Sequence, residues 1–357
     1  MPKTGSVDLP LHPGKCPKWL FGRMKKLAHS VSEIIIEEQG TSEYLFRLSN
    51  PMFFQSLGCA LGFDWHSSGL TTTVSGAIKE ALTPEMGVVA CGGKGKTSKK
   101  APEEIEKGSE KLSISSRKTD ELLKATKLSA KVDSNCIQDN YGLYHHTFLF
   151  DEKGTWTVIQ QGMNESNKYA RRYHWFDTDN FVDAPNNEII GFQEKTVLNL
   201  VSSGSEETRK ASVDLIKDNP VHLQKHFEGQ TTLFGDSKLP KRHEILNCDL
   251  TKRDWQMLRN AYEMQPGNYE ELVGLKGMGG KGLRSLALVS KLIYGSEPDW
   301  KDPVKYSFAH GGKDGIPYPV NKKIYDETID FLRQAFIESK TEKKEKLRAL
   351  KRLEKMV

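Results

Sequence analysis

The stretch Tyr141–Asn164, YGLYHHTFLFDEKGTWTVIQQGMN, decides how the fold is read. Two runs rich in aromatic and β-branched residues, YGLYHHTFLF and TWTVIQQGMN, flank the tetrad DEKG, whose aspartate and glycine suit a turn. The pattern is that of a β-hairpin. With Asp151 to Gly154 as the turn, Phe150 pairs with Thr155, and counting back sets His145 opposite Gln160 and Tyr144 opposite Gln161. On that register His145 and Gln160 share one face, while His146 and Gln161 lie close together on the other. The turn end is apolar and the open end polar, so chemistry belongs at the open end.

Upstream, AKVDSNCIQDNYG brings Lys131, Asp133, Gln138 and Asp139 to that same end. Carboxylates, histidines, amides and a lysine are what metal-assisted phosphodiester cleavage requires: ligands for a divalent ion, a base, and a cation for developing charge. The candidate catalytic residues are therefore Asp139, His145, His146, Lys131, Asp133 and Gln160, joined by Asp64 and His66 of FDWHSSG. Asp133, Asp139 and His145 are the candidate ligands for Mg²⁺ or Mn²⁺. Taken singly, each has a plainer structural reading, since an aspartate often caps a turn and a histidine beside an aromatic often only satisfies a hydrogen bond. Downstream, KYARRYHWF reads as a further strand with Arg171, Arg172 and His174 among aromatics, suited to gripping phosphate and stacking on bases. A strand with a wet face is the alternative.

Before the hairpin, KWLFGRMKKLAHSVSEIIIEEQG is an amphipathic helix stopped at Gly40, TTTVSGAIKEAL is helical, and MGVVACGG is a short buried strand. A lysine-rich helical connector runs from Ala101 to Leu128. Between strand and connector, ACGGKGKTSKK resembles a phosphate loop, but Ala90 stands where the motif requires glycine and no apolar helix follows. Nucleotide hydrolysis is rejected on that ground. Lys94 and Lys96 are left as a basic loop able to touch phosphate.

After Ser202 helical patterns take over, with SEETRKASVDLIKD and then TKRDWQMLRNAYEM, capped by Thr251. In LKGMGGKGLRSLAL, Leu275 to Leu288, four glycines separate two helical runs, the first capped by Asn268 and the second stopped at Gly295. Each glycine inside a helix costs on the order of 1 kcal/mol relative to alanine, so the cluster implies a backbone that side chains would obstruct. An apolar residue between two glycines resembles a helix-hairpin-helix element spanning residues 269–294. Open backbone at Gly277, Met278 and Gly279, with unpaired amides at the start of the second helix, would admit a phosphate, and Lys276, Lys281, Gly282 and Arg284 complete the expected DNA contact. Such contacts hold the DNA backbone without reading bases. An ordinary tight turn between helices is the alternative.

The expected organisation is α+β: a mixed α/β catalytic domain at 1–202, a helical DNA-binding domain at 203–322 and a charged helical tail at 323–357. Length alone favours two domains. A net charge of +5 leans toward anionic partners. Five scattered cysteines with no CxxC pair favour reduced thiols, and neither an export segment nor a membrane span is readable, so the cytoplasm is the expected compartment. The loop YSFAHGGKDGIPYPVN, carrying His310, Lys313 and Asp314, is long and polar enough to line a site.

The phrases LPLHPGKCPKWLFGRM, LGFDWHSSGLTTTVSGAIKEAL, KVDSNCIQDNYGLYHHTFLF, VIQQGMN, YARRYHW and SFAHGGKDGIPYPVN together resemble a domain-of-unknown-function family of archaea and thermophilic bacteria. The resemblance implies DNA-repair-associated nucleases with an amino-terminal domain of ParB and sulfiredoxin type. DNA is the implied partner, with a second copy of the chain and repair-machinery proteins beside it. Two other readings stand against a structure-selective or single-strand-preferring nuclease. One is a helix-hairpin-helix glycosylase or lyase using Lys281, for which Asn321 stands where an aspartate is wanted and Asp299 is a poor substitute. The other is a DNA-binding module without chemistry.

Overall fold

The computed structural model describes residues 9–11, 16–63, 67–185, 188–218, 251–304, 322–339 and 343–354. Four helices come first: α1 (Lys18–Gln39), α2 (Thr41–Ser49), α3 (Pro51–Ala60) and α4 (Ser68–Ala81). Strand β1 (Val88–Lys94) leads into α5 (Ala101–Lys111) and α6 (Ser116–Lys131), followed by β2 (Ile137–Gln138), β3 (Gly142–Asp151), β4 (Trp156–Asn164), β5 (Tyr169–Phe176), β6 (Glu188–Ile190) and β7 (Leu198–Asn199). The rest is helical: α7 (Glu206–Lys217), α8 (Lys252–Met264), α9 (Tyr269–Gly274), α10 (Gly280–Tyr294), α11 (Lys322–Glu338) and α12 (Lys343–Glu354).

Local chemistry sets the boundaries. Gly40, at φ +90°, ends α1, and Asn50 accepts from the amides of Met52 and Phe53 to start α3 behind Pro51. Thr251 and Asp254 form a reciprocal capping box on α8, and Asn268 caps α9. The single connector expected from Ala101 to Leu128 is two helices, because the chain turns at Ser113 with φ +56° and Ser115 begins a new N-cap.

The main sheet is antiparallel in the order β1-β3-β4-β5-β6, and β2 pairs with β7 in a separate two-stranded ladder. The hairpin forms where expected but one residue out of register. Phe150 pairs with Trp156, not Thr155, so His145 faces Gln161 and His146 faces Gln160. The cause is Asp151, whose carboxylate accepts from the amides of Lys153 and Thr155 and draws Thr155 into the loop. Since side chains alternate along a strand, the shift exchanges partners: His146 shares a face with Gln160, and His145 shares the other with Gln161.

Both faces are covered. One core joins Phe148, Phe150, Trp156, Val158, Tyr173 and Trp175 to α5, α6 and the helices α7 to α10. The opposite core joins Leu149 and Ile159 to α1–α4, α11 and α12. The mixed α/β part thus precedes a mainly helical part, whose helices from Glu206 to Tyr294 share a core with the sheet. Among the described residues no helix is long and apolar enough to cross a membrane.

Candidate functional site

A cleft of about 600 Å³ opens beside the polar end of the hairpin, between the 3₁₀ turn Gly95–Lys100, the start of α5, the last turns of α6 and β3. Its floor carries His146, Gln160 and Thr126, and its rim carries Lys99, Lys127 and Lys131. Lys94 and Lys96 are exposed on the adjoining segment, with the Lys94 ammonium 5.8 Å from the ring centre of Tyr144, another wall residue. Gly92 makes the approach of this loop possible. Its φ is +81°, and a Cβ there would stand 2.2 Å from the carbonyl oxygen of His146.

From the floor, a hydrogen-bonded chain runs into the protein. The Thr126 hydroxyl lies 2.7 Å from His146 Nε2, His146 Nδ1 lies 2.9 Å from Gln160 Oε1, and Gln160 Nε2 donates to Asp133 Oδ2 at 2.5 Å. Trp175 Nε1 donates to the same carboxylate oxygen at 2.8 Å. Partner chemistry fixes every proton. A carboxylate only accepts, so Gln160 turns its NH₂ toward Asp133 and its oxygen toward His146. That oxygen also only accepts, so His146 carries its proton on Nδ1 and presents the Nε2 lone pair to the Thr126 hydroxyl. Burial pushes the His146 imidazole below its usual range, partly countered by the Gln160 hydrogen bond, so the neutral form is favoured.

Asp139 sits in a second network on the same face. Its Oδ2 accepts from Arg171 at 2.8 Å and Tyr173 at 2.6 Å, and its Oδ1 from the Tyr141 amide at 2.9 Å. Arg171 spans from it to Asp302 at 2.7 Å. Burial opposes the Arg171 charge, but the two carboxylates hold the guanidinium firmly protonated.

The opposite face is less complete. His145 contacts Thr147 Oγ1 through Nε2, and its buried Nδ1 has no partner. Burial, with His146 and Lys94 adding to it, drives its imidazole down to about 3. Arg172 is fully buried against Gln55, Thr71 and the ring of Phe54, with no carboxylate, and burial pulls its guanidinium down to about 9. His174 has the Leu48 backbone as a polar neighbour and no side-chain hydrogen-bond partner.

These positions correct several expectations. Arg171, Arg172 and His174 are enclosed rather than presented to a nucleic acid, because β5 is an interior strand covered on both faces. Asp133, Asp139 and His145 are not brought together. The first two are engaged in separate buried networks and His145 points to the other face, so among the described residues no three His, Cys, Asp or Glu side chains converge on a metal position. Lys131 ties α6 to the glycine turn. Its ammonium donates to the carbonyls of Val273 (2.7 Å), Leu275 (2.5 Å) and Met278 (3.4 Å), and burial, then Lys127, lowers it to about 8.

Through that tie the cleft adjoins the glycine turn between α9 and α10. Gly277 takes φ +92°, and Lys276, Gly277 and Lys281 are exposed. Met278 is buried, and Gly282 leaves room for Met257 and Met278, so neither offers a contact surface. The expected open amide at the start of the second helix is also taken: Asn135 Oδ1 accepts from the Gly280 amide at 3.1 Å, and Gln138 donates to the Gly280 carbonyl at 2.8 Å. Arg284 reaches the Gln138 side chain at 3.4 Å.

Asp64, His66, His310, Lys313, Asp314 and Asn321 lie outside the described residues. Asp299 gives its amide to Ser205 Oγ and its carbonyl accepts from the Asn199 amide, at the side of the β2–β7 ladder. Sequence reasoning overlooked Thr126, Lys99, Lys127 and Asn135. A signal existed for Thr126: with Ser129 it interrupts the apolar stripe of Leu122, Ala125 and Leu128 on α6.

A family model described as "Protein of unknown function (DUF763)" matches residues 5–320, and the chain belongs to that family. No curated protein and no solved structure matches the chain.

Proposed function

We propose that this chain, as a member of that family, is a DNA-binding nuclease whose phosphodiester chemistry takes place in the cleft over Thr126 and His146. One observation carries the reading: a tautomer-fixed imidazole, backed by Gln160 and Asp133, accepts a hydrogen bond from a hydroxyl in the lining of a lysine-rimmed cavity. Lys94, Lys96, Lys99 and Lys127 supply the positive field that draws a phosphate backbone in and offsets developing charge. In the step we propose, Thr126 Oγ1 bonds to phosphorus as the bond to the leaving deoxyribose oxygen breaks. The hydroxyl proton passes to His146 Nε2 and from there to the leaving oxygen. Water then hydrolyses the phosphothreonyl ester by the reverse proton path, regenerating both side chains.

The exposed Lys276, Gly277 and Lys281 are read as a helix-hairpin-helix contact that holds DNA beside the cleft. The ParB and sulfiredoxin relationship implied by the resemblance plays no part in this reading, and neither does a divalent cation. A second reading, a DNA-binding module without chemistry, is favoured by the engagement of Asp133 and Asp139 within the fold. Labelled single-stranded, duplex, flap and bubble DNA incubated with Mg²⁺, Mn²⁺ or EDTA separates the two. Nicking that persists in EDTA and is lost in Lys99→Glu/Lys127→Glu supports the proposal; binding of these DNAs with every strand left intact supports the module.

A further inference from the structure

A groove of about 960 Å³ lies on the other side of the sheet from the cleft, between α1 and α12 and against the end of α4. Six cations line it, Lys18, Arg23, Lys25, Lys26, Lys344 and Arg348, against the two carboxylates Glu80 and Glu345. Both carboxylates are already paired. Glu345 lies 3.4 Å from Arg23 and 2.9 Å from Arg348, and Glu80 lies 3.4 Å from Lys25. Among the described residues Lys18, Lys26 and Lys344 have no ion pair, so the groove keeps an unbalanced positive field.

An apolar platform stands at the same place. The indole of Trp19 is 65% exposed, and the Arg23 guanidinium lies 5.3 Å from its ring centre. A large aromatic left in water one turn along the helix from a row of lysines has no packing role in the core on either face of the sheet.

We propose that this groove binds single-stranded nucleic acid, with backbone phosphates on Lys18, Lys26 and Lys344 and an unpaired base stacked on Trp19. Charge supplies affinity, while the exposed ring supplies preference for unpaired over paired strands, since a base inside a duplex has no face to offer. An acidic peptide would satisfy the lysines but would leave Trp19 unused. The proposal is independent of the chemistry assigned to the cleft.

The test is fluorescence anisotropy of a labelled oligothymidylate and of a duplex, titrated with the full chain across a range of salt. Trp19→Ala weakens oligothymidylate binding by about tenfold or more and leaves duplex binding nearly unchanged. Lys18→Glu/Lys26→Glu/Lys344→Glu weakens it further and flattens its salt dependence. Because the substituted side chains are partly or fully exposed, thermal melting checks that each variant is folded. The cleft variant Lys99→Glu/Lys127→Glu retains the Trp19-dependent part of the binding, so failure at one site is distinguished from failure at the other. Wild-type affinity in both groove variants overturns the proposal, as does polyglutamate displacing oligothymidylate with equal strength whether or not Trp19 is present.

Discussion

Arg171 and Arg172 are neighbours on β5, yet they lie on opposite faces of the sheet and in opposite electrostatic situations. Arg171 bridges Asp139 and Asp302, on the face where Asp133, Gln160, His146 and Thr126 form an unbroken relay. Arg172 meets only neutral acceptors, on the face where His145, Gln161 and His174 retain unpartnered atoms. The relay beside the cleft is therefore preorganised, with each of its protons assigned by its neighbours, whereas the other face leaves His145, His174 and Gln161 incompletely paired. Function is assigned to the first because a base whose tautomer is already fixed needs no rearrangement before it accepts a proton.

Substitution of the two arginines gives the largest expected contrast. Arg171→Met leaves two buried carboxylates uncompensated and costs about 3–5 kcal/mol, while Arg172→Met removes a buried charge that lacks a counter-charge and changes stability by less than about 1 kcal/mol. Chemical denaturation of both variants checks this, and equal losses would erase the distinction between the faces.

Acid sharpens the comparison next. Burial lowers His145, His146 and His174, so each stays neutral in the fold while its unfolded counterpart takes a proton near pH 6.5. Stability from these groups is complete above that pH and falls as pH drops toward their folded values, by about 1.4 kcal/mol per unit for each histidine. His174→Phe removes one such contribution, and urea denaturation between neutral pH and pH 5 should show a shallower decline. An unchanged slope would mean that His174 is hydrated and not enclosed.

The smallest expected effects concern the turn beside the cleft. Lys131→Met releases three carbonyls and costs about 2 kcal/mol. Gly277→Ala costs about 1–2 kcal/mol through its positive φ alone, since the added Cβ would sit at an ordinary 3.5 Å from Met257. Gly92→Ala should cost more than Gly277→Ala, because the new Cβ would strike the His146 carbonyl. Thermal melting ranks the three.

Much of this fold was legible in the sequence. A short apolar run identified β1, aromatic and β-branched runs around a turn tetrad identified the hairpin, and Gly40, Asn268, Thr251 and Gly295 marked helix ends through their own backbone chemistry. The register was not legible, because it turned on one carboxylate, Asp151, recruiting Thr155 into the loop. That single residue decided which histidine meets which glutamine. The surroundings of the two glycine clusters were not legible for a related reason. Spacing shows that Gly277 and Gly279 form a turn, but it cannot show that Asn135, Gln138 and Lys131, far away in sequence, already occupy its backbone groups. Conversely, the sequence around Gly92 fails a phosphate-loop pattern, and only the folded sheet places its lysines beside His146 and Thr126. Arg171, Arg172 and His174 looked like a wet strand because charge implies solvent; nothing local announces that α2 to α4 and the opposite core enclose them.

The account rests most directly on the hydroxyl at the end of the relay, and single-turnover cleavage of labelled DNA by Thr126→Val and Thr126→Ser tests it. The prediction is a loss of about a thousandfold or more in the valine variant, with substantial activity retained by serine and DNA affinity unchanged in both. Cleavage by the valine variant at the wild-type rate would contradict the assignment and place the chemistry elsewhere in the molecule.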